Sequence, residues 1–128
     1  MVQQFVVQLE NRPGALARLA RALAVRGVNI EQIAGGGAGP LGYAVLTTND
    51  DATTREVLRS SGYRFVEGQS LIVEIEDRPG TLADVTERLA DAGIQILGVL
   101  VVGRRGPLAE IALSVDDVPR ARRVLGLD

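Results

Sequence analysis

Two short segments of this chain hold the residue types best suited to grip a small molecule. They are Asn11-Arg12-Pro13-Gly14-Ala15-Leu16 and Asp77-Arg78-Pro79-Gly80-Thr81-Leu82. Each reads as a turn that ends a strand and opens a helix. The first N–H groups of a helix have no acceptor within the helix, and its dipole puts partial positive charge beside them. A carboxylate is a natural guest at such a place. Free N–H groups are expected at Gly14, Ala15 and Leu16. Glycine lets a ligand come close to the backbone, so a side chain at Gly14 is expected to block it while the chain still folds cooperatively. Asn11 offers an amide to a polar group, and Asp77 offers a carboxylate to an ammonium. The plainer reading is that Asn, Asp, Pro and Gly only shape a turn and cap a helix.

Much other chemistry is excluded by what the 128 residues lack. There is no His and no Cys, and none of the 14 basic residues is lysine. That removes Ser-His and Cys-His nucleophiles, imidazole or thiolate metal sites, disulfides and Schiff-base chemistry. A net charge of −2 argues against a basic surface for nucleic acid. Residues 1–5 lack the basic stretch and apolar run of a signal peptide. No segment approaches the ~18 consecutive apolar residues of a membrane span. The expectation is a soluble cytoplasmic protein without cofactor or metal, touching neither nucleic acid nor membrane, and not an enzyme. Its core must be built from Val, Leu, Ile and Ala, because only 3% of residues are aromatic.

Other segments mimic functional patterns. Gly37-Ala38-Gly39-Pro40-Leu41-Gly42 satisfies G-x-G-x-x-G, but it precedes the strand-like Tyr43-Ala44-Val45-Leu46 instead of following a strand and opening a helix. A hairpin loop is the better reading. Asp50-Asp51 and Asp116-Asp117 suggest a hard-cation site, yet both pairs precede helices, where negative charge complements the dipole. Arg18, Arg21 and Arg26 read as a solvated helix face. Acylphosphatase-like chemistry would need an Arg and an Asn around a phosphate loop; Arg12 and Asn29 supply the types without the context.

The elements that position the two turns follow from an internal repeat. A shift of 66 residues pairs the turns, and also Val7 with Val73, Leu23 with Leu89, Gly27 with Gly93 and Ile30 with Ile96. It carries on to Asp50-Asp51 against Asp116-Asp117. Such register indicates duplication of one supersecondary unit. Residues 5–9 and 71–75 read as strands. Pro13 and Pro79 suit the first helical position, and Leu16, Leu19 and Leu23 recur at helical spacing, as do Leu82, Val85 and Leu89. Second strands begin at Val28 and Ile94, with hairpin loops over 35–42 and 103–107. Third strands fall near 43–47 and 109–115, and second helices near 51–60 and 117–125. Residues 63–66 add a fourth strand to the first copy only. The result is α+β: two ferredoxin-like βαββαβ repeats, 1–68 and 69–128, the second lacking its fourth strand. Strand order 4-1-3-2 with both helices on one face is expected. Residues 67–70 are the only candidate boundary.

Leu9 to Leu16 followed by Gly27-Val28-Asn29-Ile30, and Glu76 to Leu82 followed by Gly93-Ile94-Gln95-Ile96, resemble the ACT domain. The resemblance covers nearly the whole chain and implies a stand-alone tandem ACT protein that binds an amino acid or similar small carboxylate where two ACT units meet. It implies ligand contacts at Asn11, Pro13, Gly14, Ala15, Leu16 and Asn29, and at Asp77, Gly80, Thr81, Leu82 and Gln95. Leu9 stands where serine-binding members often carry His, and Asp77 and Gln95 replace the Asn residues of the first copy, so the two sites should not be equivalent. The implied role is to pass a signal to a partner such as an amino-acid biosynthetic enzyme; the alternative is a ligandless ACT subunit that assembles such an enzyme. Without a fourth strand in the second copy, residues 71–75 keep an open apolar edge, and a homodimer is expected to cover it.

Overall fold

The computed structural model describes residues 3–127; Met1, Val2 and Asp128 lie outside it. The chain forms two compact units, which divide between Glu67 and Gly68. In the first, strand β1 (Gln3–Glu10) leads to helix α1 (Ala15–Ala24), strands β2 (Ile30–Ala38) and β3 (Leu41–Thr48), and helix α2 (Asp51–Ser60). Strand β4 (Phe65–Glu76) begins in this unit. β1 pairs antiparallel with β3, and β3 with β2. The N–H of Gln8 donates to the carbonyl of Arg64 (2.9 Å), which brings the start of β4 beside β1. The order is therefore 4-1-3-2, as expected.

Alternation along the strands explains the core. Phe5, Val7, Ala44 and Leu46 face one side of the sheet and pack with Leu19 and Leu23 of α1 and Val57 and Leu58 of α2. Both helices therefore cover the same face, each through the apolar stripe that a 3.6-residue period creates. Phe65 of β4 joins this cluster, its ring centroid 6.2 Å from that of Phe5. Arg55 of α2 donates to both carboxylate oxygens of Glu67 through Nε and Nη2, and Glu67 also accepts from the Gln3 amide (3.0 Å).

The second unit repeats the plan. β4 continues through it as the first strand and is followed by helix α3 (Thr81–Asp91), strands β5 (Ile96–Arg105) and β6 (Leu108–Val115), and helix α4 (Val118–Leu125). β4 pairs with β6 and β6 with β5. Leu71, Val73, Leu89, Ile111 and Leu113 form its core. Among the described residues this unit has three strands where the first has four.

Several expectations shift. The candidate boundary at residues 67–70 does hold the division between the units, but it lies inside one strand: β4 runs through it, with Ser70 fully buried opposite Ser114. Pro13 and Pro79 stand one residue before the helix caps, not in the first turn. The hairpin arms are longer than read, because Gly35, Gly36 and Gly37 lie within β2 and the reversal is only Gly39-Pro40. Glycines in a strand mark close backbone approach as well as loops. The 66-residue register also breaks. β5 carries a bulge at Leu97 that matches one at Glu31 in β2, and a further bulge at Val102 with no counterpart in β2. Beyond that extra residue the repeats align at 67, so Asn49-Asp50, not Asp50-Asp51, matches Asp116-Asp117. Asp50 and Asp117 are the equivalent helix caps, accepting from the N–H groups of Thr53 and Arg120.

Candidate functional site

Each strand–helix turn is built the same way. Gly14 and Gly80 precede α1 and α3 in the left-handed region, with φ of 89° and 92°. Only glycine takes that conformation at little cost. A Cβ at Gly14 would meet no protein atom within 4 Å, so a larger residue there costs backbone strain without a clash inside the fold. Neither helix has a side-chain cap, so Asn11 and Asp77 are not capping residues. The N–H of Ala15 turns back to the carbonyl of Arg12 (3.3 Å), whereas those of Gly14 and Leu16 have no acceptor among the described residues. Glu10 pairs with Arg12, and Glu76 with Arg78, on the exposed rim of each turn.

The turns differ in how they hold the hairpin beside them. The N–H groups of Asn11 and Asp77 donate to Pro40 (3.0 Å) and Pro107 (2.8 Å), equivalent carbonyls. The Asn11 side chain donates to the carbonyl of Gly39 (2.9 Å). It fits because Gly37 has no side chain: a Cβ there would lie 2.6 Å from Asn11 Oδ1. At the matching register position in the second unit stands Arg104, whose Nε donates to Asp77 Oδ2 (3.1 Å). The carboxylate expected to take a ligand's ammonium thus already holds a guanidinium. Thr81, in place of Ala15, is buried and donates its hydroxyl to the carbonyls of Glu76 (2.6 Å) and Arg78 (3.0 Å).

A groove of about 330 Å³ lies against the first turn. Its walls include Leu9, Asn11, Ala15, Leu16, Ile33 and Tyr43, and its floor Gly35, Gly42 and Ala44. Leu16, Ile33 and Tyr43 are each about half exposed along it. Ile33, Gly35, Tyr43 and Ala44 were not singled out by sequence; the triple glycine in an otherwise apolar strand was the available signal. Pro13 and Gly14 flank the groove in sequence without lining it.

Asn29 and Gln95 are not brought to the turns of their own units. The Asn29 N–H donates to Asn49 Oδ1 (2.9 Å), and that of Gln95 to Asp116 Oδ1 (3.0 Å). Ile30 pairs with Thr48, while Glu10 pairs with Leu41, seven residues away along β3. At about 3.3 Å per residue this separates Asn29 from the turn by about 23 Å. The G-x-G-x-x-G run spans the β2–β3 hairpin and opens no helix. Among the described residues no cluster of three or more acidic residues is placed to hold a metal ion, and no helix is long and apolar enough to cross a membrane.

Fold and turn define a class: a duplicated α+β module with one strand–helix turn in each copy. The chain belongs to the ACT domain family, whose model matches residues 4–60 and again 69–125. Many solved structures share its fold, among them three that match over nearly its whole length. Protein BT0572 from Bacteroides thetaiotaomicron is 18% identical, with TM-score 0.71 over 98% of this chain and 87% of its own. The regulatory subunit of aspartate kinase from Thermus flavus is 18% identical, with TM-score 0.69 over 99% and 92%. That from Thermus thermophilus, in a ligand-free form, is 19% identical, with TM-score 0.60 over 98% and 90%. Among curated proteins no sequence relative matches.

Proposed function

We propose that this protein is a cytoplasmic, non-catalytic regulatory module that binds a free amino acid or similar small carboxylate and passes its occupancy to an amino-acid biosynthetic enzyme. The observation that carries this reading is the groove against the first turn, lined by Leu16, whose N–H, like that of Gly14 two residues before it, has no acceptor among the described residues. Those donors and the helix dipole suit a carboxylate. Membership of the ACT family, and a fold shared with regulatory subunits of aspartate kinase, support it. Asn29 contributes only if it comes from a second copy, which is one reason to place the ligand-bound form in a homodimer.

Binding to the folded state stabilises it, by about 2.7 kcal/mol at a hundred times Kd. A melting screen with the twenty amino acids at millimolar concentration should show at least one raising Tm by several degrees. A screen in which none shifts Tm contradicts the reading and favours a ligandless subunit that only assembles an enzyme.

A further inference from the structure

Strand pairing lets the two repeats be compared position for position. Gly35 lies opposite Ala44, as Val101 lies opposite Ile111; Gly42 lies opposite Leu9, as Ala109 lies opposite Ile75. The floor of the first groove is thus Gly, Ala and Gly where the second unit has Val, Ile and Ala. Ala15 at the mouth becomes Thr81, which is buried. The difference is locked into the backbone. A Cβ at Gly35 would sit 2.8 Å from the carbonyl oxygen of Tyr43, and one at Gly42 would sit 2.8 Å from that of Gly36. β5 accepts Val101 beside the extra bulge at Val102, and β2 has no such relief.

The contents of the first groove are also one-sided. Leu9, Leu16, Ile33 and Ala44 give it apolar surface, and its only charged lining residues, Glu10 and Arg12, pair with each other. Its polar end is at Leu16, whose N–H has no acceptor among the described residues. A ligand with a carboxylate at one end and an uncharged, apolar body complements such a groove; a charged side chain would lie against Leu16 and Ile33 without a partner.

From this we infer that the first repeat alone accepts a ligand, one per chain, and that the ligand is an amino acid with an apolar side chain, the equivalent positions of the second repeat carrying the larger Val101, Ile111 and Thr81. The inference rests on the function proposed above and narrows it. Calorimetric titration of the full chain with leucine, valine and phenylalanine, against serine, aspartate and lysine, tests it. The expected result is one equivalent of an apolar amino acid per chain, at least tenfold tighter than any polar one. Ile33→Glu should weaken it at least tenfold, whereas Val99→Glu, the same change at the equivalent position, should leave it unchanged. Both residues are partly exposed edge-strand positions, and unchanged melting curves would verify folding. Preference for a polar amino acid, two equivalents per chain, or equal sensitivity to both variants would overturn this inference while amino-acid binding stands. Absence of binding by all six would overturn it too, and would count against the proposed function together with a negative melting screen.

Discussion

The two repeats share a scaffold and differ in what occupies it. Both place an αL glycine before the first helix, both tie the turn to a Gly-Pro hairpin through a backbone bond, and both pair Glu with Arg on the rim. In the first, small residues leave a groove and an amide reaches over Gly37 to the hairpin. In the second, larger side chains take those positions and an Asp–Arg pair replaces the amide contact. The shared parts are the ones the chain needs to turn and pack. The divergent parts line the groove of the first repeat and stand at the equivalent positions of the second. Duplication preserves a fold more readily than it preserves a site.

The core is where the comparison predicts equality. Leu23 and Leu89, paired by the 66-residue shift, are both fully buried in the cores of their units. Leu23→Ala and Leu89→Ala should each cost about 2–5 kcal/mol in denaturant unfolding. A loss well below that range in one repeat alone would show that its core is already loose.

The αL glycines come next. Gly14→Ala and Gly80→Ala force a side chain onto a left-handed residue, which costs about 1–2 kcal/mol. Equal losses at the two positions are expected from equilibrium unfolding, since neither Cβ meets a neighbour. A cost confined to Gly14 would mean that the first turn carries strain the second lacks.

The side-chain ties separate the repeats by salt. Asp77→Ala breaks an exposed ion pair worth about 0.2–1 kcal/mol, and its effect should shrink in high salt. Asn11→Ala breaks a neutral amide contact worth about 0.5–1.5 kcal/mol, and its effect should not change with salt. Identical salt responses would erase the distinction drawn between the two hairpins.

The smallest effect concerns acid. Arg55 beside Glu67 holds that carboxyl below its usual value, chiefly through their hydrogen bond, and Thr53 does the same for Asp50. A lowered folded-state pKa gives stability present above the unfolded value and lost as pH falls through the folded one. Burial raises Asp51 and works in the opposite direction. The first repeat should therefore lose a little stability as pH drops below about 4.5, and Glu67→Gln should reduce that slope. Thermal melts from pH 3 to 7 provide the check.

Most of the fold was legible because duplication repeated every signal: the strand–helix turn, the leucine spacing, the closing glycines. The sheet order and the shared helix face followed from element order. Three features were not legible, each for a local reason. The bulge at Val102 adds one unpaired residue within an apolar strand and leaves no compositional trace, yet it moves the register from 66 to 67 and misaligns the aspartate pairs. Gly35 to Gly37 read as a loop because glycine is a turn signal, whereas pairing with β3 holds them extended. The groove floor depends on which residues stand across the strands from one another, and that is fixed only by register. Of the candidate site, the turn itself was readable from sequence; the role of Gly37 in seating Asn11, and of Arg104 in engaging Asp77, was not.

The central claim is that the first turn and its groove receive the ligand. Backbone amide shifts, followed by NMR during titration with the tightest-binding amino acid, test it most directly. The account predicts large movements at Gly14, Leu16, Ile33 and Gly35, with little change at Gly80, Leu82, Val99 and Val101. Movements centred on Gly80 to Leu82, or equal in both repeats, would contradict it.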